Sequence, residues 1–214
     1  MLKWLHEDRK QETMKTKSED RRKTIMDVAA EVFREVGFDG ASMAEISARV
    51  GGSKATLYSY FKSKEELFVE VMMAAAIEAK KGVNWCEDKQ GHISDILHEF
   101  GRTYLKFILN PTVLAIKRML IAEGERSNIG KLYYERGPRN GWLKIANMLQ
   151  KAIDRKELAV DDPWTAAMHL RGLLEAGLYE MRLFGAINKV TPKQINETAE
   201  KAINVFLRAY SSAK

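Results

Sequence analysis

The sequence predicts an all-α protein with a three-helix N-terminal domain and a larger C-terminal helical domain. Apolar residues recur every three or four positions along almost the whole 214-residue chain, which is the spacing of one face of an α-helix. No run of alternating apolar and polar residues bounded by hairpin turns is found in the sequence. All four prolines lie in the second half, so none interrupts the first 110 residues.

The first helix is predicted over residues 18–36. Ser18 can cap its first turn, and Glu19 and Asp20 place negative charge where the helix dipole favours it. Gly37 ends the helix, because glycine readily adopts the left-handed conformation of a C-terminal cap. The apolar face comprises Ile25, Val28, Ala29, Val32, Phe33 and Val36.

A second and a third helix flank the glycine pair Gly51-Gly52. Ser42 and Glu45 form a capping-box pattern that begins the second helix, and Ser53 is positioned to cap the third. Another capping-box pattern, Ser63-Lys-Glu-Glu66, begins a long fourth helix. Two helices joined by a short glycine turn and packed on a first helix describe a helix-turn-helix, an element that enters the DNA major groove.

Six further helices are predicted near residues 92–109, 112–123, 129–136, 139–156, 163–184 and 192–210. The last two begin with Asp162-Pro163 and Thr191-Pro192, which place a capping side chain before a proline at the first helical position. The predicted domains are an N-terminal extension (1–19), a helix-turn-helix domain (20–66) and a ligand-binding and dimerisation domain (67–214).

The packing pattern predicts which side of the third helix faces outward. Leu57 and Phe61 point with Ile46 toward the first helix and are assigned to the core. The outward side carries lysines suited to phosphates, and hydroxyls and rings suited to base edges. These residues are Lys54, Ala55, Thr56, Tyr58, Tyr60, Lys62 and Lys64, with Ser42 and Ser53 at helix N-termini, where backbone amides attract phosphate.

The net charge alone does not locate a DNA-binding surface. The formal charge is +6 and the isoelectric point is near 9.3, values that favour a nucleic-acid partner. Residues 1–70, however, hold 13 Lys+Arg and 13 Asp+Glu, so this part of the chain is neutral overall. The prediction of DNA binding therefore depends on where individual charges lie.

The run from Ile46 to Leu67 resembles the signature of the TetR/AcrR family of one-component repressors. It reads Ile46-Ser47 and then Gly51-Gly52-Ser53-Lys54-Ala55-Thr56-Leu57-Tyr58-Ser59-Tyr60-Phe61-Lys62-Ser63-Lys64-Glu65-Glu66-Leu67. The resemblance covers residues 20–72 and implies an all-helical protein with its DNA reader at the N-terminus. It also implies phosphate contacts for Ser42, Tyr60 and Lys64, and groove contacts for Lys54, Ala55, Thr56 and Tyr58.

Two positions leave the resemblance open to another interpretation. The family commonly carries a small apolar residue such as valine where this chain has Gly52, and a missing side chain there can loosen the turn or shift the third helix. Tyr60 has an alternative role as a packing residue against the fourth helix. The register of base contacts depends on both positions.

The C-terminal domain has a set of aromatic and methionine side chains. One interpretation is an apolar pocket for a small-molecule effector, with tyrosine hydroxyls, Arg102 or His169 orienting the ligand. The other is ordinary core packing, the usual role of aromatics at helical spacing. A resemblance to the C-terminal domain of AefR-type members favours the pocket. The candidate ligand-binding residues are Phe100, Tyr104, Phe107, Met119, Trp142, Met168 and His169.

A single half-site reader makes too few contacts for a specific genomic site, so a homodimer on a palindromic double-stranded DNA operator is expected. The helix predicted at 163–184 is apolar on nearly all sides, and its small residues permit close approach of another helix. The alternative is a core within one subunit only. The predicted interface, a symmetric four-helix arrangement, includes Gly172, Leu173, Ala176, Ile203 and Phe206.

Other classes of function find little support. No apolar stretch is long enough to cross a bilayer, and the polar N-terminus lacks a secretory signal, so no membrane partner is expected. With Cys86 alone no internal disulfide is possible, which favours the cytoplasm; a redox role for Cys86 stays open. His92 and His98 lie on different helix faces, and Gly51-Gly52-Ser53-Lys54 lacks the spacing of a P-loop, so neither a cofactor nor an enzyme is expected.

The N-terminal extension has two interpretations. Lys15 and Lys17 with Arg21-Arg22-Lys23 can form an arm that reaches an adjacent minor groove. Four acidic residues up to Glu19 favour a solvated tail instead. Met14 is an alternative start of the protein, which would remove residues 1–13.

Together these patterns predict a cytoplasmic, homodimeric repressor that binds an operator and is released by a small-molecule effector, whose binding moves the fourth helix. The alternative is a DNA-binding regulator controlled by a protein partner or acting without a ligand. A helical enzyme is a remote third possibility. The sequence does not identify the effector, the operator or the regulated genes.

Overall fold

The computed structural model describes residues 2–80 and 90–211, with side chains from Ser18 onward. Within these residues the fold is all-α, as predicted, apart from an isolated bridge between Leu158 and Ser211. Cys86 and the side chains of Lys15 and Lys17 lie outside the described part. The helices are α1 (Leu2–Gly40), α2 (Met43–Val50), α3 (Lys54–Tyr60), α4 (Lys64–Ala79), α5 (Ile93–Ile108), α6 (Pro111–Glu123), α7 (Ile129–Arg136), α8 (Pro138–Asp154), α9 (Pro163–Glu175), α10 (Leu178–Leu183) and α11 (Pro192–Tyr210).

The chain forms two compact units. The first runs to Ala74 and includes Ser127–Ile129, and the second comprises Ala75–Arg126 and Gly130–Lys214. This division falls inside α4, whereas the predicted domain boundary at residues 66–67 lies near the start of the same helix. Over the described residues, no helix has the length and apolar character that a membrane span requires.

The first unit is held together by the apolar faces of α1 to α4. Ile25, Ala29 and Val32 of α1 are almost completely buried. Phe68 of α4 packs edge-on against Phe33, with ring centroids 4.9 Å apart. Burying side chains of this size stabilises a fold by about 1.5–3 kcal/mol each. Ile46 of α2 and Leu57 of α3 are buried in the same unit, and this packing holds both helices in place.

Two features of the first helix differ from the prediction. It begins at Leu2 rather than at Ser18, because no glycine or proline precedes Gly37 to end a helix earlier. Gly37 does break the helical path, with φ of 72° and ψ of −177°. Val36 was predicted to lie on the buried face, but it is 46% exposed, because the buried stripe of this segment ends at Phe33 just before the break.

Helix caps were predicted with mixed success. The Thr191–Gln194 capping box is confirmed in both directions at the start of α11. At the start of α4, Ser63 Oγ accepts from the Glu66 N–H as predicted, but Glu66 Oε2 accepts from the N–H of Lys62, one residue earlier than expected. Each of these helix starts nonetheless has backbone donors satisfied by a side chain.

The second unit is a helical bundle. Its α9 packs against both α8 and α11, and α11 also packs against α5. The predictions of helices at 129–136 and 192–210 are confirmed residue for residue. The single helix predicted at 163–184 is wrong. It is divided into α9 and α10 at Gly177, whose φ of 82° lies in the left-handed region, while the apolar pattern continues across the break.

Candidate functional site

The turn between α2 and α3 is defined by a short network of hydrogen bonds. Gly51 adopts the left-handed conformation, with φ of 70°, and its N–H donates to the carbonyl of Ala48. The buried Ser47 hydroxyl donates to the Gly52 carbonyl at 2.8 Å. Ser53 then caps α3 by accepting from the Thr56 N–H at 3.0 Å. The start of α3 is therefore fixed by several bonds rather than by packing alone.

Most of α3 faces solvent. Within this helix only Leu57 is buried, and Phe61 just after it is also buried. The ring of Tyr58 is 48% exposed, and Tyr60 is half-buried. Five residues share the exposed face: Lys54, Ala55, Thr56, Tyr58 and Ser59. A seven-residue helix with this much exposed polar surface has more side chains available for a partner than for its own fold.

Ion pairs neutralise two arginines of the first unit, Arg22 and Arg49. Arg49 pairs with Glu35 at 2.7 Å and with Glu45 at 2.8 Å. Arg22 pairs with Glu70 at 2.6 Å and lies over the ring of Phe61. These ion pairs agree with the equal numbers of acidic and basic residues in positions 1–70.

Two lysines at the ends of α3 differ from these arginines, because they have no acidic partner among the described residues. The ammonium groups of Lys54 and Lys62 are exposed, and neither forms an ion pair or a hydrogen bond with any residue that the structure describes. Unpaired, exposed ammonium groups at the two ends of a helix can each neutralise a DNA phosphate. They give the exposed face of α3 a local positive charge that the regional total conceals.

Lys64 was predicted to contact phosphate, yet most of its donors are used inside the unit. Its Nζ donates to the carbonyl oxygens of Phe38 at 2.7 Å and Ala41 at 3.0 Å. The same ammonium lies 4.2 Å from the centre of the Phe38 ring. Lys64 thus joins the start of α4 to the segment between α1 and α2, and at most one of its three N–H groups can point to a ligand.

Residues predicted to bind a ligand fall into two groups. Phe100, Tyr104 and Trp142 form one buried ring cluster, in which Tyr104 lies 5.6 Å from Phe100 and 5.1 Å from Trp142. Phe107 and Met168 are partly buried against the same core. The remaining two candidates lie elsewhere.

Those two candidates are Met119 and His169. Met119, on α6, is half-buried and does not belong to the core that holds the three rings. His169 is exposed, and its ring stacks on Tyr210, to whose hydroxyl its Nδ1 is hydrogen-bonded. The helical periodicity placed His169 correctly on α9, but not on the face directed toward the rings.

The predicted interface residues also separate by burial. Gly172 and Ala176 are exposed and Leu173 is half-buried, whereas Ile203 and Phe206 are completely buried in the core of their own subunit. A side chain that is already buried within its subunit has no surface for a partner. The available apolar surface in the second unit instead includes Met181, Phe184 and Val205, of which Phe184 is 76% exposed.

The sequence did not reveal a cluster of polar side chains in the second unit. Glu175 accepts hydrogen bonds from Arg171 and from the hydroxyl of Tyr104. Burial lowers the pKa of Lys117, whereas the charge of Glu175 raises it. Burial raises the pKa of Tyr179 to about 12, and the charge of Glu175 contributes to that rise. The members of the cluster come from four helices and are as far as 75 positions apart in the chain, from Tyr104 to Tyr179, so no local motif marks them. Among the described residues, no group of His, Cys, Asp and Glu has an arrangement that could hold a metal ion.

An exposed polar helix held by a helix-turn-helix, in a chain with a second helical unit, defines a DNA-binding transcription regulator. The family models give the same result. Residues 25–71 match the model of the tetR family of bacterial regulatory proteins, and residues 95–212 match that of the C-terminal domain of AefR-like transcriptional repressors. The chain belongs to the TetR family. It is a transcription regulator and not an enzyme, and both resemblances inferred from its sequence are confirmed.

Individual relatives are similar to this chain over about nine tenths of its length. The chain is 28% identical over 202 residues to the HTH-type transcriptional regulator AcrR of Shigella flexneri, covering 90% of this chain and 92% of that protein. The solved structure of the flavonoid-responsive regulator FrrA has a TM-score of 0.78 and 28% identity, covering 91% and 99% of the two chains. A TetR-family structure from Mesorhizobium loti has a TM-score of 0.74 and 27% identity, covering 91% and 98%.

Proposed function

We propose that this protein is a cytoplasmic, ligand-responsive repressor that binds a palindromic operator as a homodimer. The observation that carries the proposal is the exposed polar face of α3, flanked by the unpaired ammonium groups of Lys54 and Lys62. An exposed helix with positive charge at its ends fits the major groove between two phosphate backbones. The proposed DNA contacts are Ser42, Ser53, Lys54, Ala55, Thr56, Tyr58, Tyr60 and Lys64, with Lys62 added.

The roles within this surface follow from chemistry and exposure. Lys54 and Lys62 contact phosphates, which supplies affinity without sequence preference. Thr56 and Tyr58 are exposed and offer a hydroxyl, a methyl and a ring to base edges. Lys64 contributes mainly by holding the start of α4 against the Phe38 and Ala41 carbonyls.

The proposed dimer uses the exposed apolar surface of the second unit. It combines Gly172, Leu173 and Ala176, on and beside α9, with Met181 of α10, Phe184 just after α10 and Val205 of α11. A phenylalanine that is 76% exposed is unfavourable in water, and burial against a second copy would remove that cost. Ile203 and Phe206 are left out of this interface because they are buried within the subunit.

The proposed effector enters the second unit. AcrR and FrrA support a regulator of this kind, and FrrA is flavonoid-responsive by name. Because α4 begins in the first unit and ends in the second, a change at its C-terminal part can alter the placement of the readers on the two half-sites. The alternative, a regulator controlled by a protein partner or acting without a ligand, differs only in this last step.

The experiment is a footprint of the purified protein on the DNA that flanks its own gene. We expect protection of a palindrome, and each of Lys54→Met and Lys62→Met should reduce the slope of log affinity against log salt by about one. Lys151→Met, at an exposed lysine of α8 outside the proposed interface, is the matched control and should bind like the wild type. Absence of a protected palindrome at moderate salt would contradict the proposed function.

A further inference from the structure

A guanidinium group lies over the turn between α2 and α3, and the proposed function does not yet use it. It belongs to Arg21 of α1, whose Nη2 donates to the carbonyl of Gly51 at 3.4 Å. The same nitrogen lies 2.8 Å from the position that a Cβ on Gly52 would occupy. The end of the Arg21 side chain therefore fills the space that the bare backbone of Gly52 leaves open.

Arg21 differs in its contacts from the next residue in the chain. Arg22 Nη2 pairs with Glu70 Oε2 at 2.6 Å, so the charge of Arg22 is balanced inside the first unit. Within the part of the chain that the structure describes, Arg21 has no ion pair, and its bond to the Gly51 carbonyl is its one hydrogen bond. A guanidinium has five N–H groups, so Arg21 keeps most of its donors and its whole charge for a partner.

The position of Arg21 is set by two well-packed elements. Arg21 is one helical turn before Ile25, which is almost completely buried, so the stem of Arg21 lies on the side of α1 that faces the unit. Under its guanidinium, the turn is held by the bond from the Ser47 hydroxyl to the Gly52 carbonyl. The guanidinium is therefore placed by the fold and not by an extended arm.

This position adjoins the proposed DNA-binding surface. Arg21 lines a shallow hollow together with Ser53 and Thr56, which are exposed and belong to the proposed DNA contacts. In a helix-turn-helix, the N-terminal residues of the second helix approach the base edges, and the first helix of the motif crosses the phosphate backbone. A cation beside both helices is thus placed near that backbone. An anionic phosphate oxygen is a stronger acceptor for it than the Gly51 carbonyl.

We propose that Arg21 binds a phosphate of the DNA backbone, and that the bare backbone of Gly52 makes room for its guanidinium beside α3. This inference rests on the proposed function, because it adds a residue to the same surface. Arg21 then joins Lys54 and Lys62 as a cation of this surface that has no acidic partner among the described residues. The contact comes from a side chain fixed on α1, and not from an arm that enters the minor groove.

The test measures how salt affects the binding of the full-length protein to two DNA duplexes, followed by fluorescence anisotropy. One duplex carries the palindrome that the footprint protects, and the other has the same length and a random sequence. Because a phosphate contact is independent of base sequence, Arg21→Met should reduce the slope of log affinity against log salt by about one on both duplexes. Arg21→Lys keeps the charge and should keep the slope of the wild type.

Two controls separate a DNA contact from other effects. Arg139→Met, at an exposed arginine of α8, is matched in residue type and should bind both duplexes like the wild type. Urea unfolding of each variant is recorded as well. Arg21→Met should have the unfolding midpoint of the wild type, since the bond that it loses is long and lies at an exposed site.

A double-mutant cycle tests the part that Gly52 plays. A Cβ at this position displaces the guanidinium, so Gly52→Ala should weaken DNA binding on the order of threefold when Arg21 is present. In the Arg21→Met background the same substitution should have no effect on binding, because no guanidinium is left to displace.

Three results would overturn the inference. In the first, Arg21→Met leaves the salt slope unchanged on both duplexes. In the second, it weakens binding to the palindrome alone, which would assign Arg21 to base recognition. In the third, Gly52→Ala has the same effect with and without Arg21. If the wild type protects no palindrome, the proposed function fails and the random duplex still decides the role of Arg21, whereas an unchanged slope with a normal footprint contradicts only this inference.

Discussion

At the scale of single residues, the two adjacent glycines of the turn have different requirements. Gly51 has φ of 70°, a conformation that costs an alanine about 1 kcal/mol. Gly52 has an ordinary backbone, and a Cβ there would meet only the guanidinium end of Arg21, at 2.8 Å, which can move aside. The missing side chain at Gly52 is therefore not required by the turn.

We predict that Gly51→Ala lowers the free energy of unfolding by about 1 kcal/mol, whereas Gly52→Ala leaves it unchanged or raises it by up to about 1 kcal/mol. Urea unfolding at one protein concentration measures both. A loss of stability in Gly52→Ala equal to that in Gly51→Ala would show that the Arg21 side chain cannot give way. Gly52→Val then tests whether the family's residue is accepted.

Lys64 is a second residue whose role depends on its contacts. We predict that Lys64→Met lowers the free energy of unfolding by about 1–3 kcal/mol, because the charge-assisted bonds to the Phe38 and Ala41 carbonyls and the contact with the Phe38 ring are lost. Lys62→Met, two positions away and exposed, should leave stability unchanged and reduce only operator affinity. If the two variants are equally stable, the contacts of Lys64 do not stabilise the unit, and Lys64 is then a phosphate contact like Lys62.

Lys117 gives stability a dependence on pH. Burial lowers the folded-state pKa of Lys117 below its ordinary 10.5, so the unfolded state binds more protons between the two values. The stability of the wild type therefore rises with pH across that window. We predict that Lys117→Met is more stable than the wild type at neutral pH, and that the difference shrinks as pH increases toward 10.5. Urea unfolding at several pH values checks this, and Lys106→Met, at an exposed lysine of α5, serves as the control variant.

At the scale of helices, local signals in the sequence predicted much of the fold. The bounds of α7 and α11 were correct because a capping residue or a break marks each end. The division between α9 and α10 was missed because apolar residues continue through Gly177, and periodicity alone cannot detect a change of direction. The length of α1 was missed for the opposite reason, since Ser18 can cap a helix but does not end one that is already formed.

Two caps test how local stability and DNA binding are linked. We predict that Ser53→Ala and Thr191→Ala each lower the free energy of unfolding by about 1 kcal/mol, since each removes an N-cap hydrogen bond. Only Ser53→Ala should also reduce operator affinity, because Ser53 fixes the start of α3. Urea unfolding and titration of operator DNA measure the two effects. A similar loss of affinity in Thr191→Ala would point to a general loss of folded protein.

At the scale of the whole molecule, the candidate sites differ in how far the sequence could predict them. The proposed DNA-binding surface lies mostly on α3 and the residues beside it, so most of its residues are neighbours in the chain and carry a recognisable pattern. The charged cluster around Glu175 is assembled from α5, α6, α9 and α10, and the placement of its charges is a product of tertiary packing. Burial likewise divided the predicted interface, since periodicity cannot say whether an apolar face meets its own subunit or another.

A single substitution in the proposed subunit interface should change the oligomeric state of the protein. We predict that Ala176→Glu converts the proposed dimer into monomers, because Ala176 is exposed, lies close in the chain to the exposed Met181 and Phe184, and would bring two like charges together across the proposed two-fold axis. Operator affinity should then fall by more than tenfold, because each monomer engages only one half-site. Sedimentation velocity and operator titration measure the two effects. Ala159→Glu, an exposed alanine outside the proposed interface, is the control and should remain dimeric. If Ala176→Glu stays dimeric and binds the operator normally, the subunits associate through another surface.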